Sequence, residues 1–194
     1  MRRSRRFVVM TLISLLAGGG GSARAQGPSG PAPRDRPAWR EVLARRLPAY
    51  GHRNWVVIAD SAYPMQTGAG IETVVTHAGQ LEVVKAVLEE LGEVKHVRPV
   101  VYLDAELPYV PEPDAPGIGK YRADLRQVLG ARPPRPLPHD RIIAKLDEAG
   151  QKFRVLVLKT DLTLPYSSVF LELDCGYWSA EAERRLREAM KAVE

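Results

Sequence analysis

The chain has 194 residues, 45% of them hydrophobic and 26% charged, with a formal net charge of +5. The first 25 residues hold five arginines and no acid, so the remainder is neutral overall and the positive excess is no nucleic-acid footprint. No later segment interleaves basic residues with aromatics, and a lone cysteine, Cys175, excludes an intramolecular disulfide. The length beyond the leader suits one domain held together by packing. Cys175 is expected to be a small buried apolar residue.

Arg2, Arg3, Arg5 and Arg6 precede an apolar run from Phe7 to Ala17, and Ala23-Arg24-Ala25 ends the segment. These are the parts of an export signal over residues 1–25. The apolar run is shorter than the roughly 20 residues of a membrane span. An uncleaved interfacial anchor or a disordered tail is the alternative. Ser4-Arg5-Arg6 loosely resembles a twin-arginine signal. The expectation is an exported protein, periplasmic or secreted, with no membrane span once the signal is removed. Residues 26–37, rich in Pro, Gly and Ser, read as a flexible tether to a domain over 38–178.

Trp39, Val42, Leu43 and Leu47 recur at helical spacing, and Pro48 stops that helix. The run from Trp55 to Asp60 predicts a buried strand, followed by a loop from Ser61 to about Gly70. Leu81, Val84, Val87 and Leu91 mark a helix with Gly92 as its C-cap. A second strand follows His96, its start weakened by Pro99. A proline-rich loop leads to a short helix from Lys120, closed by Gly130, and residues 131–138 form a proline-rich connector. His139 opens a helix with Ile142, Ile143 and Leu146 inward and Gly150 at its end. Two strands follow, from Phe153 to Thr160 and from Ser168 to Asp174. Residues 179–194 form a final amphipathic helix, with Ser179 as N-cap and Ala182, Leu186, Ala189 and Val193 as its apolar stripe.

Strands apolar on both faces alternate with helices. That pattern predicts an α/β fold: three layers, α/β/α, with a central, largely parallel sheet. Ligands in such sheets collect beyond the carboxyl ends of the strands, which places Asp60 at a site position.

Two motifs can be set aside. Gly68-Ala69-Gly70 lacks the third glycine of a dinucleotide fingerprint, because Thr73 stands there. Gly119-Lys120 lacks the Ser/Thr and the earlier glycine of a P-loop. His52, His77, His96 and His139 show no i, i+4 pairing, so nothing points to a metal.

Three places combine polar groups with strand ends: Gly51-His52, Asp60 with Tyr63-Pro64, and Pro165-Tyr166-Ser167-Ser168. Taken singly, His52 reads as a surface turn residue, Asp60 as a cap and Tyr166 as a satisfied core tyrosine. Together they are specific. GHRNWVVIADSAYP resembles the G-H-x-(D/N)-x-(apolar run)-D-x-x-(F/Y/L)-P signature of the RbsD/FucU family of D-ribose pyranases and L-fucose mutarotases. PYSSVFLEL resembles that family's closing Y-x-N before an apolar strand, and LARRLPAYGH its lead-in helix.

The resemblance implies an RbsD-like fold and an isomerase that interconverts anomers or ring forms of a free monosaccharide without cofactor or metal. It implies that His52 is the acid/base histidine and that Asp60, Tyr166 and His139 bind the sugar. Ser168 stands where the family has Asn, which shortens the side chain and removes the amide's paired donor and acceptor. The resemblance also implies a ring-shaped homo-oligomer, although the family is cytoplasmic and a leader is a departure from it. A binding module that holds a sugar or small polar ligand on the same fold without turning it over is the second expectation.

Overall fold

The computed structural model describes residues 37–191. The expected leader and the tether as far as residue 36 lie outside the described residues. The elements are α1 (Ala38–Arg46), β1 (Trp55–Ala59), β2 (Ile71–Val75), α2 (Gln80–Glu93), β3 (Val97–Asp104), α3 (Ile118–Leu129), β4 (Arg135–Leu137), α4 (His139–Lys152), β5 (Val155–Lys159), β6 (Val169–Cys175) and α5 (Ala180–Lys191).

The six strands form one sheet in the order β2-β5-β1-β6-β3-β4. β6 runs antiparallel to both β1 and β3, and the other pairings are parallel. Five strands therefore share one direction and the central β6 opposes them. Side chains alternate across this sheet. Val56 and Ile58 of β1 enter a core with Trp39 and Leu43 of α1, Val84 and Val87 of α2, and Leu125 of α3. Trp55, Val57 and Ala59 enter the opposite core, with Ile142, Leu146 and Ala149 of α4. The result is the expected three-layer α/β/α arrangement, with three helices on one face and α4 on the other.

Several local expectations change. β2 and β4 were not anticipated. β4 is three residues long, contains Pro136 and sits at a sheet edge, where a missing N–H is tolerated. Pro99 lies inside β3, where only β6 pairs with that strand, because β4 reaches no further than Tyr102. Gly92 falls inside α2, which runs on to Glu93. Gly150 is likewise no terminus, since α4 continues to Lys152. A Cβ at Gly70 would run into the Gly150 and Phe153 carbonyl oxygens, and one at Gly150 into Ile71. The Gly70 N–H donates to the Gly150 carbonyl at 3.1 Å, and the Gly70 carbonyl accepts from Val155 N–H at 2.9 Å. These two glycines let β2 approach the end of α4.

Gly130, at φ 57°, closes α3 as expected. Ser179 caps α5, its hydroxyl accepting from Ala182 N–H at 3.0 Å. No residue of α5 is buried, and Leu186 and Met190 are exposed. Cys175 ends β6, half-buried and free.

Candidate functional site at the carboxyl edge of the sheet

Because five strands run one way, their carboxyl ends share an edge, and β6 brings its amino end to the same place. Polar residues stand at all six of these ends. Asp60 follows β1, Thr76 follows β2, Asp104 closes β3, His139 comes two residues after β4, Thr160 follows β5 and Ser168 precedes β6.

Asp60 and Ser168 are joined by two hydrogen bonds. The Ser168 hydroxyl donates to Asp60 Oδ2 at 2.8 Å and accepts from the Asp60 N–H at 3.1 Å. Asp60 Oδ1 accepts from Ala62 N–H at 2.9 Å. Ser168 is buried, so a short hydroxyl fits where a longer amide would need more room.

His139 is organised by two acids from the end of β3. Its Nδ1 lies 3.0 Å from Asp104 Oδ1. Its backbone N–H donates to both Glu106 oxygens at 3.1 Å, which caps α4, since Pro138 at the N-cap offers no side-chain bond. Asp104 is only 1% exposed, and its Oδ2 has no partner among the described residues. Burial pushes the Asp104 carboxyl upward in pKa; the bond to His139 and its charge oppose this, while the charges of Glu106 and Asp60 add to it. The His139 side chain is 45% exposed.

Tyr166 faces His139 edge-on, with ring centroids 5.6 Å apart and planes at 85°. It is 40% exposed and sits at φ 55°, a left-handed conformation that costs energy for a residue with a Cβ. The next residue holds it there. The Ser167 carbonyl accepts from Gln80 Nε2 at 2.7 Å and from the Tyr121 hydroxyl at 2.5 Å, and the Ser167 hydroxyl donates to the Leu164 carbonyl at 2.7 Å. Gln80 Nε2 also donates to the Ile58 carbonyl at 3.1 Å, and Gln80 Oε1 accepts from the Thr160 hydroxyl at 2.5 Å. Gln80 thus ties β1, β5 and the start of β6 together beneath the site. Tyr63 is buried at the same edge and donates to Gln66 Oε1 at 3.2 Å; burial first, then Asp147, Asp104 and Asp60, push its hydroxyl upward in pKa.

His52 is placed elsewhere. It is exposed in the turn that precedes β1, at the amino end of that strand. β1 separates it from Asp60, a span of about 16 Å at ~3.3 Å per residue. Its charged neighbour is Asp174, near the carboxyl end of β6. Within one chain the expected constellation is therefore divided: Asp60, His139, Tyr166 and Ser168 share the carboxyl edge, and His52 occupies the opposite one. Asp104, Glu106 and Gln80 were missed. The signal available for Asp104 was its place at the end of a predicted strand, the same argument that had singled out Asp60. Three cavities, of about 140 to 370 Å³, border residues such as Arg53, Asn54, Tyr50 and Arg154, and none of the three takes in the Asp60 edge. Among the described residues no group of three or more His, Cys, Asp or Glu is arranged to hold a metal ion. Nor is any helix among them long and apolar enough to cross a membrane.

No protein-family model matches the chain, and no curated protein sequence matches it. Solved structures do. Bacillus subtilis RbsD complexed with D-ribose superimposes with a TM-score of 0.52 at 18% identity, covering 75% of this chain and 99% of that one. FucU from Bifidobacterium longum gives 0.47 at 20% identity, covering 69% and 92%. The fucose mutarotase of Streptococcus pneumoniae in complex with L-fucose gives 0.45 at 18%, covering 69% and 91%. The RbsD superposition shows the fold: an RbsD-like α/β sheet with helices on both faces.

Proposed function

With the RbsD fold as premise, we propose that the chain is an exported monosaccharide mutarotase or pyranase that interconverts anomers or ring forms of a free sugar. The observation that carries this reading is the convergence of Asp60, Ser168, His139 and Tyr166 on the carboxyl edge of the sheet. The half-exposed Tyr166 ring offers a face for packing on a sugar. Each Asp60 oxygen retains acceptor capacity after its one protein bond, enough for sugar hydroxyls.

The proposed reaction moves protons only and calls on no metal or cofactor. A base takes the proton from the anomeric hydroxyl, and that oxygen's electron pair forms the carbonyl. The bond from the anomeric carbon to the ring oxygen breaks, and the ring oxygen takes a proton from water. Closure on either face of the carbonyl reverses these steps. Histidine suits the work because its pKa lies near neutrality, and such transfer contributes about 10²–10⁴-fold.

His52 enters this reading through a second copy of the chain. It stands at the far edge of its own sheet, so the proposed homo-oligomer would bring it to the Asp60 site of a neighbouring copy. The leader expected over residues 1–25 supports export. Exchange NMR between the anomers of D-ribose, L-fucose and D-galactose, with and without protein, tests the activity. Acceleration by the wild type and its loss in His139→Ala and His52→Ala are expected. A wild-type rate equal to buffer for every sugar overturns it.

One observation favours a second reading, a sugar-binding protein without turnover. The Ser168 hydroxyl is spent on Asp60 and donates nothing outward. Calorimetric binding without accelerated exchange selects that reading.

A further inference from the structure

We infer that Asp104 and His139 form a working acid/base pair, in which buried Asp104 fixes the Nδ1–H tautomer and His139 Nε2 is the atom that exchanges protons with the ligand. The sugar reading assigns His139 only to binding. The catalytic arm of this inference rests on that reading, and the tautomer arm does not.

The geometry argues from both partners. For His139, Nδ1 is committed at 3.0 Å to a carboxylate oxygen, which can only accept when ionised, so the neutral ring carries its proton on Nδ1. That leaves the Nε2 lone pair unused among the described residues, on a side chain that is 45% exposed. For Asp104, a carboxylate 1% exposed needs compensation for lost hydration. Among the described residues its carboxylate has one hydrogen-bond partner, His139, and Oδ2 has none. The arrangement therefore gains most when the ring becomes imidazolium, the state reached after Nε2 takes a proton. Two further contacts position the residue: the His139 backbone N–H is fixed by both Glu106 oxygens, and Tyr166 meets the ring edge-on. The charged groups that Asp104 senses besides His139 are Glu106 and Asp60, both acidic, and both push its carboxyl upward in pKa.

In the proposed reaction Nε2 takes the anomeric proton while the ring oxygen is protonated by water, and the imidazolium returns its proton when the ring closes. Asp104 touches no sugar and is a positioning residue.

Nitrogen-15 NMR of the labelled wild-type protein, with His139 assigned by its loss in His139→Gln, reads the tautomer directly. Neutral His139 is expected as Nδ1–H. In Asp104→Asn, whose amide can donate to Nδ1, the signal is expected to move toward Nε2–H, and D-ribose anomer exchange to fall by about tenfold or more. Asp104→Glu, which keeps the carboxylate, is expected to restore part of both. An Nε2–H tautomer in the wild type overturns the pair, whatever Asp104→Asn shows. So does an Asp104→Asn protein whose tautomer and exchange rate both match the wild type. A wild type with the Nδ1–H tautomer but no accelerated exchange leaves the pair standing and overturns the sugar isomerase reading instead.

Discussion

Ser168 and Asp60 bond each other twice, hydroxyl to carboxylate at 2.8 Å and backbone N–H to hydroxyl at 3.1 Å. This buried hydroxyl welds the end of β1 to the start of β6. Ser168→Ala removes both bonds and leaves the Asp60 N–H without that partner. A loss of about 1–3 kcal/mol is expected in urea unfolding, because one of the bonds is to a charged group. Ser168→Asn must seat a larger side chain in a buried position, so it is expected to lose stability as well.

The raised pKa of Asp104 gives a pH dependence with a definite sign. The folded protein holds this proton more tightly than the unfolded chain, whose carboxyl titrates near its ordinary 3.8. The folded state therefore binds more protons over the window that opens at 3.8, and this group's contribution to stability falls as pH rises through that window. Asp104→Asn removes the group. The stability of the variant relative to wild type should rise with pH from about 4 upward. Urea unfolding of both proteins across pH 3–7 checks the slope; a difference that falls with pH contradicts the assignment.

Two glycines should respond in opposite directions. Gly70→Ala drives a Cβ into two backbone carbonyls, which cannot swing aside as a side chain can. A loss of about 2–3 kcal/mol is expected. Gly92 is exposed inside α2 with nothing near its Cβ position, and Gly92→Ala should gain about 0.5–1 kcal/mol. Thermal unfolding of the two variants separates them.

Gln80→Leu keeps roughly the volume and removes three hydrogen bonds at once. The Ser167 carbonyl keeps only Tyr121, and the Ile58 carbonyl loses its side-chain donor. A destabilisation of about 2–4 kcal/mol is expected, together with weaker ligand binding, because Tyr166 depends on Ser167 for its left-handed backbone. Unfolding and calorimetry on the same preparation measure the two effects, and unchanged ligand affinity would show that Tyr166 is held by other means.

The layers were legible because β1, β5 and β6 are apolar on both faces, and a strand buried on both sides needs helices above and below. β2 was not legible: Ile71, Thr73 and Val74 alternate weakly, and its place beside β5 is decided by Gly70 meeting Gly150 far along the chain. Asp60 and Tyr166 could be read from motifs in single stretches. Asp104 lies in no such motif: its strand-end place was a signal, but its meaning comes from β4 pairing alongside β3 and delivering His139 beside it. His52 shows the reverse limit. Eight positions from Asp60 in sequence, it is separated from it by the length of a strand, a distance that a motif written on one line conceals.

The reversed strand at the centre of the sheet has a consequence for how the domain comes into being. β1 and β3 meet only through β6, the last strand in sequence. Until residues 169–175 are in place, β2-β5-β1 and β3-β4 are two half-sheets, each with an open edge. Of the two pairings that close them, the one between β6 and β1 joins residues more than a hundred positions apart, a slow kind of contact to form. Tyr166 and Ser168 stand at the amino end of that closing strand. A chain released short of it would have neither a finished sheet nor a site, so the step that completes the fold is also the one that delivers the residues proposed to touch the sugar.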